Sequence, residues 1–163
     1  MLSFLSENLV LWILPAIILA VAVGNGVRAW LGYREVRADA DREYSYRQRR
    51  GMVDGRITEA GFRDAFVRAH APRAALWTAI GMGAVLLLTL PVFRFMDVVM
   101  NLVWRLSGEN RTFEPTFLVY QFGIFFGVLA LWAAIGFFAA RAYHRGAPVS
   151  FEDELRRELG ERA

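Results

Sequence analysis

Two imidazoles, His70 and His144, are the side chains best suited to hold a haem iron. Each lies four residues outside a long uncharged run, His70 before Ala74 and His144 after Ala140, so both are expected at the same membrane interface. A pair at one depth on neighbouring helices can bracket an iron axially. The setting argues against it: His70 runs straight into Ala71-Pro72-Arg73, a polar turn, whereas buried membrane haems are ligated from within helices. Two interfacial histidines are the expectation. Arg94 and Asp97, three apart, share a helical face and are expected to pair. A quinone headgroup meeting Arg94 is the less favoured role for it, anchoring at the interface the more favoured.

No cysteine is present, which excludes disulfides, thiolate metal sites and cysteine nucleophiles together. No catalytic constellation and no metal site emerges, and no resident cofactor is expected, although contact with a bound lipid, quinone or pigment fits the composition. All 19 basic residues are arginine, the mark of a GC-rich, bacterial genome before it is a mark of chemistry.

The elements that would position these residues are legible from charge. Three runs carry no charged side chain, 8–27, 74–93 and 115–140, in a chain that is 56% hydrophobic with a mean hydropathy of +0.31. A spanning helix needs about 20 apolar residues, because the hydrocarbon core is about 30 Å thick. A 163-residue chain cannot bury three helices that are apolar all round. The fold class is therefore an all-α membrane protein with three transmembrane helices and short interfacial or amphipathic helices, in one domain. The spans are placed at about 8–30, 74–93 and 115–142. A helical connection occupies 31–73, an outer interfacial helix 94–106 after a bend near Pro91, and a tail 143–163.

Arginine sets the orientation. The segment 28–73 holds 11, the tail from Arg141 holds 5, the connection 94–111 holds 3, and the first 27 residues none. Positive charge stays on the cytoplasmic side, which puts the N-terminus out and the C-terminus in, across a bacterial inner membrane. Charge follows the first apolar run rather than preceding it, so that run is not a secretory signal and Met1 is expected to be retained.

The first connection reads as a charged helix continuing the first span to a stop at Gly51, an Asp54-Gly55 turn, and an amphipathic helix marked by Phe62, Ala65, Phe66 and Ala69. The stretch GMVDGRITEAGFRDAF is similar to small helical oligomerisation modules written G-x-I-T-x-x-x-F, over about a dozen residues; no function is carried over from it. The helix is expected to lie on the membrane surface with Phe62 and Phe66 dipping into the interface. The tail from Ser150 is expected as a short, solvated helix with Ser150 as N-cap. Arginines interleave with seven acids in the connection, a pattern for lipid headgroups and not for nucleic acid.

Small residues supply the packing expectation. Ala16, Ala20 and Gly24 repeat every four residues in the first span, Ala75, Ala79 and Gly83 in the second. Gly123 and Gly127 are followed by Ala130 and Ala134 in the third. Small residues let backbones approach, and close packing is what associates helices in lipid. Asn25 and Gln121 are expected to hydrogen-bond neighbouring helices. Phe122, Phe125, Phe126, Trp132, Phe137 and Phe138 are assigned to outward faces.

The expected function is a non-catalytic accessory subunit of a larger bacterial inner-membrane complex. Its partners would be membrane lipids and other integral membrane subunits, in an electron-transfer assembly of photosynthetic or respiratory type. The alternative is a haem- or quinone-binding membrane anchor subunit of an oxidoreductase, resembling the anchors of succinate dehydrogenase in span count. A transporter acting alone is disfavoured, because the runs hold no charged group.

Overall fold

The computed structural model describes residues 2–146 and 150–160, with side chains from Ile13 onward. Met1 and the tail positions 147–149 and 161–163 lie outside the described residues. Among those described, every regular element is helical: α1 (Leu2–Arg49), α2 (Glu59–His70), α3 (Arg73–Leu106), α4 (Leu118–Arg145) and α5 (Phe151–Glu158), with a 3₁₀ turn at Arg111–Phe113. Three stretches are long and apolar enough to cross a membrane, Ile13–Arg49, Arg73–Leu106 and Leu118–Arg145. This is the make-up of a multi-pass membrane protein.

α1 continues unbroken past the apolar run, as its charge-dense, helix-forming sequence requires, and stops where expected. Gly51 takes a positive φ of 68°, and the Met52 N–H reaches back to the Arg47 carbonyl at 2.9 Å. That arrangement satisfies carbonyls the helix end would leave open, and glycine adopts it without steric cost.

α3 differs from expectation. It does not end at Phe93 but runs on as one helix to Leu106, 34 residues or about 51 Å of rise. The separate outer helix expected over 94–106 is therefore its last turns. Pro91 removes one backbone donor, but side chains tie the helix to α4 on both sides of it. Before the proline, Thr89 Oγ1 accepts from Trp132 Nε1 at 2.9 Å and donates to the Val85 carbonyl. After it, Met96 and Met100 lie against glycines of α4. A turn into the membrane plane after Pro91 would strip the two methionine contacts.

The chain divides into two compact units, Met1–Val23 with Thr78–Arg141, and Gly24–Trp77 with Ala142–Ala163. The first holds the apolar parts of α1, α3 and α4. The second gathers the arginine-rich half of α1, all of α2 and all of α5.

The second unit has its own small core. Phe62 is 1% exposed, and Ala65 and Leu155 are buried with it, flanked by Tyr44, Ile57, Phe66 and Phe151. α2 starts cleanly because Thr58 Oγ1 accepts from the Gly61 N–H at 3.1 Å. Its apolar stripe faces α5 rather than a membrane surface, which corrects two expectations at once. Phe62 and Phe66 do not dip into an interface, and the tail helix is not simply solvated, because Leu155 and Glu154 are buried against α2. The physical reason is that each short helix carries an apolar stripe, and burying one stripe on the other removes both from water.

Candidate functional site

In the first unit the seam between α3 and α4 is built on two glycines. A Cβ on Gly127 would lie 2.6 Å from Met96 Cγ, and one on Gly123 would lie 2.5 Å from Met100 Sδ. Each thioether fills the hollow its glycine leaves. Gly123 and Gly127 thus lie directly against α3.

The rest of that stripe departs from expectation, since Ala130 and Ala134 are exposed. So are Ala16, Ala20 and Gly24 of α1. On α3, Ala75 is buried while Ala79 and Gly83 are half-buried, with nothing within 4 Å of a Cβ at Gly83. The inward row of α1 is Pro15, Ile18, Ala22, Asn25, Ala29 and Gly32, spaced alternately three and four. A strict four-residue repeat turns by about 40° at each step on a helix of 3.6 residues per turn, so it drifts off any straight seam. The three-four alternation in the sequence was the signal that locates the row.

Above the glycines lies a polar cluster that sequence reasoning missed. Tyr120, 4% exposed, donates its Oη hydrogen to Asp97 Oδ1 at 2.6 Å and accepts from Asn101 Nδ2 at 3.1 Å. Asp97 is thus engaged across the helices, and no ion pair joins it to Arg94 among the described residues; the expected Arg94–Asp97 pair does not form. Asp97 lies on the α4-facing side of α3, while Arg94 is exposed. The spacing of Asp97 and Asn101, one turn apart, is the trace such a cluster leaves in sequence.

The second unit is closed by charge around its aromatic core. Arg47 bonds Glu43 through Nε at 2.7 Å and Glu152 through Nη1 at 3.3 Å, and its guanidinium lies 5.0 Å from the Phe151 ring centre. Arg68 bonds Glu154 at 2.9 Å and also Glu158. Glu154 is 5% exposed, and Arg157 completes its pairing at 3.1 Å. Arg63 reaches Asp41 of α1 at 2.7 Å. The hydrogen bond with Glu154 raises Arg68 above the usual guanidinium value, and that with Asp41 raises Arg63. In the turn before α2 the Arg56 guanidinium holds the Asp54 carboxyl below the usual carboxylate range.

Neither histidine is built into a ligand site. His70 Nδ1 lies 3.0 Å from the Phe66 carbonyl, and its ring stacks on Phe66 at 4.2 Å. His144 is exposed in the last turn of α4 beside Tyr143. Among the described residues no group of three or more His, Asp or Glu side chains is arranged to hold a metal ion. Phe122, Phe125, Phe126, Phe137 and Phe138 are each more than half exposed, as expected. Trp132 is half-buried and turned to Thr89, and Gln121 is exposed. Comparison with protein-family models, curated proteins and solved structures finds no match for the chain.

Proposed function

We infer that this chain is a non-catalytic accessory subunit of a larger membrane complex, held in it by packing. The observation that carries the reading is a stagger between α3 and α4. Gly81 lies beside Ala139 and Met96 beside Gly127, which fixes the antiparallel register. In that register the uncharged stretch common to both helices runs only from about Gly81 to Phe93, about 20 Å, against a hydrocarbon core of about 30 Å. Beyond it, Arg94 and Asp97 on α3 stand beside an α4 that stays apolar to its start.

At that level Phe95 is 63% exposed, Val98 65%, Phe125 57% and Phe126 59%. Large apolar side chains bare beside charged ones suit neither hydrocarbon nor water, and the cover that suits both is another protein. The arginine distribution supports an orientation with the segment 28–73 and the tail from Arg141 in the cytoplasm.

The test is the native assembly in mild detergent. The chain should migrate in a particle well above its own 18.5 kDa. Phe95→Ala with Phe125→Ala and Phe126→Ala should shrink or destabilise that particle while leaving the partner's turnover per complex close to normal. A wild-type chain that migrates alone, or a partner whose intrinsic turnover collapses without it, would overturn the reading.

A further inference from the structure

The outward face of α3 is apolar except at one place. On a helix of 3.6 residues per turn, Leu87, Pro91, Arg94 and Val98 fall within about 60° of one another, and all four are exposed, Leu87 at 75% and Val98 at 65%. Arg94 is therefore set into the same apolar row as Val98 of the partner surface. Its charge is unanswered there. Asp97, three residues on, accepts from Tyr120 of α4 instead, and no ion pair joins Arg94 to another carboxylate among the described residues.

The level of Arg94 argues against a lipid headgroup as the missing anion. Met96 lies beside Gly127 and Met100 beside Gly123, so Arg94 is level with about Leu129. α4 carries no charge from Leu118 to Ala140, and Leu129 stands eleven residues from either end of that stretch, about 16 Å of rise. Phosphates level with the ends of α4 are beyond an arginine's reach, whereas a side chain on an adjoining helix can stand directly opposite. A second copy of this chain does not supply the anion either. A two-fold pair built on this row sets Arg94 against Arg94, and like charges in an apolar seam repel.

We propose that the partner presents to this row a membrane helix of a different subunit, whose Asp or Glu pairs with Arg94 while its apolar side chains cover Leu87 and Val98. The pairing rests on the reading of this chain as a subunit and specifies what its partner carries. The planar fork of the guanidinium holds a carboxylate through two parallel hydrogen bonds. Such a pair selects both the helix that binds and its height, because a helix shifted by one turn leaves two charges stranded in an apolar seam.

Arg94→Leu gives opposite results in the two surroundings. Against lipid it removes a charge from an apolar face, and the chain's yield stays the same or rises. Against a partner's carboxylate it strands that group, so the native particle in mild detergent should assemble at least about thirtyfold more weakly while the chain itself stays folded. Arg94→Lys reads the contact directly. The chain has no lysine, so a carbodiimide, which couples an amine to a carboxylate in contact with it, should link position 94 to an Asp or Glu of another subunit. Should Arg94→Leu fail to accumulate, the cross-link alone decides.

A particle that breaks up in Phe95→Ala with Phe125→Ala and Phe126→Ala, yet stays intact in Arg94→Leu and forms no cross-link in Arg94→Lys, would overturn the carboxylate and leave the subunit reading standing. A link only to Asp97, in the same chain or in a second copy, would also overturn it. A wild-type chain that migrates alone would overturn both.

Discussion

At the scale of single residues, the seam between α3 and α4 is decided by two missing side chains. Gly123→Leu with Gly127→Leu places bulk where Met100 and Met96 already lie. Each overpacked position is expected to cost about 1–3 kcal/mol, seen as a lower yield of folded protein and a lower midpoint in detergent unfolding. Phe125→Leu, on the exposed face, should be nearly silent in the same assay. Gly127→Ala meets only the flexible Met96, so adding Met96→Ala should recover part of its loss, which a cycle of the two substitutions measures. Tyr120→Phe tests the polar cluster. It removes the donor to a half-buried Asp97 and is expected to cost about 1–3 kcal/mol, more than Tyr143→Phe at an exposed site.

At the scale of elements, α5 and α2 hold each other, and neither would be stable alone at 8 and 12 residues. Leu155→Ala should cost about 2–5 kcal/mol of that pairing, measured as faster proteolysis of the tail in the full-length protein. Arg68→Ala should act in the same direction, because it takes one cation from a Glu154 carboxylate that is nearly buried. The raised pKa of Arg68 means that its contribution is complete below the ordinary guanidinium value and is lost only as pH rises through a still higher one. That of Asp54, whose pKa is lowered, is lost only as pH falls below the ordinary carboxylate value. Across neutral pH these groups stay charged, so salt is the effective lever: the exposed Arg63–Asp41 pair should loosen between 0.1 and 1 M salt, as the screening length falls from about 10 to about 3 Å. The sequence disclosed one cap and the stop of this region, Ser150 and Gly51, because each acts within a few residues of itself. It did not disclose that Phe62 meets Leu155, since two amphipathic stripes 93 residues apart carry no mark of which surface each will cover.

At the scale of the whole molecule, three apolar helices were legible because lipid imposes a length and a composition that no other solvent does. The seam glycines were legible too, whereas the stagger and the Tyr120 cluster were not, because register between helices depends on which side chains interlock. The orientation argued from arginine predicts that a reporter active only outside the cytoplasm works when fused after Gly108 and fails when fused after Gly51. The reverse pattern would overturn the arginine argument. The order in which the chain is made adds a constraint of its own. Leu155 follows Phe62 by 93 residues, so at ribosomal speeds of about 5–20 residues per second the apolar stripe around Phe62 waits about 5–19 s for Leu155 to be synthesised. Both later apolar helices are synthesised within that interval. A newborn chain therefore carries an unclosed aromatic surface throughout its own insertion, and a nascent-chain chaperone that recognises such surfaces has that window, and no later one, in which to bind.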